Sequence, residues 1–156
     1  MTTSYNEIKN LIQQHQAIQA HMRFLINSLS TLSTSTPSNQ EVSYSIPLKD
    51  RIALYRWSLY DFREAIQLQI ELDDRIFLGS SSTEDIFMDH QKIREQIDIT
   101  IRLAENAVYH NISQEELNIY SLNIIKAVNK ICESIEQHMA KEDNLLKQRL
   151  NMYVIS

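Results

Sequence analysis

Glycine occurs once in this chain of 156 residues, proline twice and cysteine once. Each scarcity excludes something. Loops that cradle a phosphate or a dinucleotide close on several glycines, because only glycine lets the backbone turn and approach so tightly. A many-stranded sandwich or barrel needs turn residues about every ten positions, and this chain lacks them. The lone Cys132 can form neither an internal disulfide nor a thiolate metal cage. Excess positive charge is missing as well: 15 Lys and Arg stand against 20 Asp and Glu, a formal net of -5. A mildly acidic chain with no basic cluster is poorly suited to a phosphate backbone, so nucleic acid is not an expected partner. The apolar runs are only a few residues long, too short to span a bilayer, and no membrane association is expected. The opening residues have no basic start followed by an apolar run, so no signal peptide is read there. The expectation is a mostly helical, cytoplasmic, single-domain protein over 1–156, large enough to bury a real core.

What is present is helical periodicity. Ile8, Leu11, Ile12, Ile18, Met22, Leu25, Ile26 and Leu29 follow the spacing of one helix face. Ser4 with Glu7 reads as a capping box at its start. The pattern ends in the polar stretch Ser33 to Asn39. A second helix is predicted to begin at Pro47, a residue favoured in a first turn, and to end at Gly79. Ser81 with Glu84 and Ser113 with Glu116 mark two more starts. The predicted helices span 4–32, 47–78, 83–110 and 114–150. The second and third connections are only a few residues long, and short connections force antiparallel neighbours. The fold class predicted is all-α, an up-down-up-down four-helix bundle.

Of the five histidines, three fall on the apolar stripe of their own helix. His15 keeps register with Leu11, Ile12 and Ile18, His90 with Ile86, Ile93 and Ile97, and His138 with Ile131 and Ile135. At about 1.5 Å per residue they lie roughly 16, 11 and 18 Å from one common end of an alternating bundle, which is one shared layer. On the second helix that layer falls near Gln69 and Asp73, while Glu142 and Asp143 follow His138 by about one turn. Imidazoles and carboxylates converging from facing helices are the donor set of iron or a similar divalent ion. The blander alternative for each histidine is a core residue satisfied by hydrogen bonds. For Lys141, Glu142, Asp143 and Lys147 it is a solvated face with i,i+4 pairs.

The segments His15-Gln-Ala-Ile, Asp89-His90-Gln-Lys-Ile-Arg94 and His138-Met-Ala-Lys-Glu142-Asp143-Asn-Leu-Leu resemble helices one, three and four of hemerythrin-like (HHE cation-binding) domains. The resemblance covers most of the chain in order and spacing. It implies a four-helix bundle with a non-haem di-iron centre held by histidines and bridging carboxylates, serving in oxygen or iron sensing, oxygen binding or iron handling; the iron expected here is mono- or dinuclear. Carried over by position, His15, His90 and His138 would be imidazole ligands, with Asp143 or Glu142 a bridging carboxylate. The chain departs from the family on helix two, where the pattern His-x-x-x-Glu is replaced by Gln69 and Asp73. It departs again at Arg94, where the family can carry a second histidine. An inward Arg94 would pair with Asp73 or Glu142. The reduced set, with Asp73 as an available carboxylate, still suffices for one metal ion.

The remaining residues read as structural. His21 and His110 fit a helix-boundary contact and a helix C-terminus. Trp57 and the tyrosines Tyr55, Tyr60, Tyr109 and Tyr120 fit core or rim packing, and Cys132 a buried position. The Glu-x-x-His pairs of ferritin-type centres are missing: Ile135 and Phe87 stand three residues before His138 and His90. Two other functions are consistent with the sequence. One is a metal-free bundle acting as an interaction or signalling module with a protein partner. The weaker one is a histidine phosphotransfer bundle, which would need an exposed His138.

Overall fold

The computed structural model describes residues 5–33, 46–77 and 83–155. The described residues form four α-helices: α1 (Tyr5–Ser28), α2 (Leu48–Phe77), α3 (Thr83–Tyr109) and α4 (Gln114–Ile155). The last turn of the first helix tightens into a 3₁₀ segment, Leu29–Leu32, a frequent ending where the α-type bonds run out. These ranges match the sequence expectation to within a residue or two, except that α4 runs on to Ile155 rather than stopping at 150. No strand occurs among the described residues. The predicted caps at Ser4 and Ser81 and the stop at Gly79 lie outside the described residues. The cap at Ser113 is formed: its Oγ accepts the Glu116 backbone N–H at 3.1 Å, and its carbonyl accepts from Leu117 at 2.9 Å. This satisfies donors that have no partner inside a first turn.

Each helix packs against two neighbours, in the cyclic order α1, α2, α3, α4 and back to α1. The alternation of direction is visible in the core. Ile8 and Leu11 near the start of α1 cluster with Ile76 and Phe77 at the end of α2, Ile86 near the start of α3 and Leu146 late in α4. At the other end, Leu25 and Leu29 join Leu48, Ile52, Ala104, Ala107 and Leu117. Early residues of one helix therefore meet late residues of the next, as in an up-down-up-down bundle.

The core is divided in two. The larger apolar cluster reaches Ile18, Ile70, Ile93 and Met139, and the smaller one begins at Leu11, Ile76, Ile86 and Leu146. Between these limits, each helix contributes buried polar side chains instead: His15, Asp73, His90, His138 and Glu142, with Gln69 beside them. Every buried aliphatic side chain contributes about 1.5–3 kcal/mol, so two clusters of this size can support one layer that opposes folding. Among the described residues no helix is long and apolar enough to cross a membrane.

Candidate metal centre

The polar layer follows from helical spacing. His15 lies four residues after Leu11 and three before Ile18, so its side chain leaves α1 on the buried stripe. Asp73 occupies the same position between Ile70 and Ile76, and His90 between Ile86 and Ile93. On α4, His138 and Glu142 flank the Met139 turn and are both buried. Their spacing of four places them one above the other on a single face.

Asp73, His90, His138 and Glu142 each bring a donor atom to within 4.8 Å of all the others. His138 Nε2 is 2.5 Å from Glu142 Oε1, while His90 Nε2 is 3.9 Å from that oxygen and 3.5 Å from Asp73 Oδ2. The two imidazoles meet edge to face, with centroids 4.7 Å apart. Despite this crowding, His90 Nε2, His138 Nε2 and both Glu142 oxygens make no hydrogen bond. The close His138–Glu142 approach lacks the angle that a hydrogen bond requires. Leaving such groups buried and unbonded opposes folding by about 1–3 kcal/mol each, and by more when they are charged.

The far side of each histidine is fully occupied. His15 Nδ1 pairs with Asp143 Oδ1 at 2.7 Å, His90 Nδ1 with Asp74 Oδ1 at 2.8 Å, and His138 Nδ1 with Asp89 Oδ2 at 2.9 Å. Lys141 Nζ donates to the same Asp89 oxygen at 3.3 Å. With Nδ1 donating to a carboxylate, each ring is fixed in orientation and its Nε2 is directed into the layer. This outer arrangement is the one metal-binding histidines use. Asp73 is held on one side only: its Oδ1 accepts from Gln69 Nε2 at 3.0 Å and lies 3.4 Å from His15 Nε2. Its Oδ2 faces His90.

Charge is balanced inside the layer. Burial works against a positive His15, but the Asp143 and Asp73 carboxylates outweigh it and raise the imidazole to about 10. His90 is raised to about 10 in the same way, with burial opposed by Asp73 and Glu142. Burial would raise Asp73, yet the hydrogen bond from His15 and the facing His90 imidazole hold it well below the ordinary carboxylate range. Asp89 is also lowered, by His138 and Lys141 against the effect of burial.

The donor set fits a divalent metal. Two imidazole nitrogens and two carboxylates suit iron, zinc or manganese and require no thiolate. A cavity of about 20 Å³ lies among Gln69, Asp73, His90, His138 and Glu142, with Ile93 and Met139 on its apolar side. That is room for one ion or one water. The unbonded nitrogens and oxygens aimed at this cavity are what an ion would coordinate.

Of the residues predicted from sequence, His90, His138, Glu142 and Asp73 converge on the cavity. His15 joins them only through Asp73 Oδ1, and Asp143 sits outside the layer, behind His15. An inward Arg94 does not occur: it is half-buried, and its Nε donates to Gln67 Oε1 at 3.1 Å. The α3 stripe runs through Ile93 and Ile97, which turns the residue between them toward the α2 edge. Nor is Glu142 part of a solvated face, since it is 0% exposed. Asp74 and Asp89 were not singled out as site residues in the sequence. Each belongs to a histidine on another helix, so no local spacing links the pair. Only the Asp73-Asp74 and Asp89-His90 adjacencies hinted at extra carboxylates.

The other histidines are structural. His21 packs edge-on against Phe62, with centroids 5.3 Å apart, and the His110 ring meets the Asn106 carbonyl at 3.1 Å. Tyr55 is buried and donates to the Leu25 carbonyl at 2.9 Å. Cys132 is buried, and burial pushes its thiol up to about 11. Trp57 and Tyr109 are exposed on the rim. No family model, curated protein or solved structure matches the chain.

Proposed function

We propose that this protein is a hemerythrin-like metal-binding bundle that holds one non-haem metal ion, iron first, in a sensing or storage role. One observation carries this reading: unbonded Nε2 atoms of His90 and His138 converge with Glu142, while outer carboxylates fix both rings. Asp73 Oδ2 supplies the fourth donor. The proposed stoichiometry is one, because Asp73 Oδ1 is engaged by Gln69 and His15 rather than left for a second ion. In this reading His15 positions Asp73 and is not itself a ligand. Bound there, the ion would neutralise the buried carboxylates and offer a Lewis-acid or redox centre shielded by two apolar clusters. The resemblance of the three histidine segments supports iron over other divalent ions. A cytoplasmic setting belongs to the same reading, with Cys132 the chain's single cysteine.

Metal analysis of tag-free protein after iron loading tests the proposal. About one equivalent is expected after desalting, and less than about a tenth would overturn it, because a site of useful affinity survives purification. The phosphotransfer alternative loses its premise, since His138 is buried and its Nδ1 is paired with Asp89.

A further inference from the structure

About 25 Å along α2 from Asp73, at the 1.5 Å rise of a helix, a second polar group is left without a partner. Arg56 is 8% exposed, and its Nε and Nη1 atoms are buried with no hydrogen bond. Among the described residues it forms no ion pair. Burying an unpaired charge opposes folding by several kcal/mol. Three rings lie against it: its Cζ is 4.8 Å from the Tyr109 centroid, 5.5 Å from Trp57 and 5.8 Å from Tyr60. Cation–π contacts offset part of that opposing term, at about 0.5–2 kcal/mol each. They act through the face of the guanidinium and leave its Nε and Nη1 N–H groups unpaired.

The rings that cover Arg56 are themselves unusually open to water. Trp57 is 59% exposed and Tyr109 66%. Trp57 stands edge-on to Tyr60 at 5.7 Å, which fixes a wall on one side. Tyr109 is the final residue of α3, where a side chain can turn aside without breaking a helical turn. Arg63, two turns along the same face, lies over the Tyr60 ring at 5.4 Å but is already paired with Asp98 at 3.7 Å. A planar cation at the base of an aromatic rim matches the residue types that dominate protein interfaces. Its fork matches a carboxylate, which it can bind through two parallel N–H donors.

We infer that this end of the bundle is a docking site for an acidic peptide segment of a protein partner, with one carboxylate seated on Arg56 between Trp57 and Tyr109. Charge complementarity selects the occupant: the unpaired Arg56 calls for a carboxylate, and the exposed rings take the adjoining apolar chain. Single-stranded nucleic acid also stacks on aromatics, but two arginines in a chain of net charge -5 do not make a backbone-tracking groove. The site is independent of the metal reading, being far from the polar layer and sharing no residue with it.

Trp57 is the chain's only tryptophan, so its fluorescence reports on this site alone. Titration of the full chain with an N-acetylated tetraglutamate peptide should give a saturable change, and a tetraglutamine peptide should not. Affinity for the acidic peptide should fall at least ten-fold in Arg56→Gln and several-fold in Arg56→Lys, which keeps the charge but loses the fork. Tyr109→Ala, at an exposed helix end, should alter binding while leaving helical circular dichroism intact, so the test stands even if an Arg56 variant folds poorly. Four results would overturn the inference: no saturable change, equal binding by tetraglutamine, wild-type affinity in both Arg56 variants and Tyr109→Ala, or tighter binding of inorganic phosphate or an oligothymidine than of the peptide.

Discussion

Glu142 Oε1 lies 2.5 Å from His138 Nε2, one helical turn away, yet neither atom forms a hydrogen bond. Two complementary groups this close normally bond, because burial makes the bond stronger and its absence more costly. Asp89 fixes the His138 ring through Nδ1, and Glu142 is fully buried. Both atoms border the cavity that Asp73 and His90 also line, where an ion would take up their lone pairs.

Glu142→Gln keeps the size of the side chain and removes its charge. It is expected to lower affinity for ferrous iron, or for cobalt as a spectroscopic substitute, by at least ten-fold. Competition against a chelating dye measures this, with circular dichroism confirming that the helices remain. Unchanged affinity would remove Glu142 from the ligand set.

The outer carboxylates should matter almost as much as the ligands. Asp74→Asn and Asp89→Asn leave the inner atoms in place but weaken the hold on the His90 and His138 rings. Each is expected to reduce metal affinity by about 10–100-fold. His90→Ala and His138→Ala should abolish binding. If the asparagine variants bind like wild type, the Nδ1 contacts are simply surface pairing.

His15 separates a one-ion centre from a two-ion centre. Its Nε2 faces the Asp73 oxygen already engaged by Gln69. His15→Asn should therefore leave the stoichiometry at one while weakening affinity. A wild-type stoichiometry of two that falls to one in this variant would instead make His15 a ligand.

The pH dependence of the metal-free protein has a definite sign. His15 and His90 are raised from 6.5 to about 10 in the folded state. Their stabilising contribution is complete below about 6.5 and is lost as pH rises toward 10. Asp73 is lowered from 3.8, so its contribution is present above that value and is lost on acidification. The melting temperature of chelator-treated protein should peak between about pH 4 and 6.5 and decline toward pH 10. A bound ion replaces the proton on the His90 ligand, so metal loading should release protons and soften the alkaline decline. Thermal melts across pH, with and without metal, check both statements.

The bundle and its histidine layer were legible in the sequence for one reason. A helix converts a linear spacing of three or four into a shared face, and the rise per residue converts chain position into depth. Those two rules place His15, His90 and His138 at one level and Asp73 beside them. They could not place Arg94, which a half-turn error would move from the interior to the α2 edge, where it meets Gln67. They could not separate the inner role of Glu142 from the outer role of Asp143, since adjacent residues on α4 diverge by about 100° and either could face inward.

The sequence by itself determined which faces of the helices are buried and which residues lie at one depth, because both are local properties of a regular helix. Only the tertiary structure decided which carboxylate faces which imidazole. Asp74 and Asp89 hold histidines on other helices, 16 and 49 residues away in the chain, and such pairings depend on how helices rotate against one another. The same holds for Arg56: its buried stripe position is local, but the three rings that enclose it come from two helices.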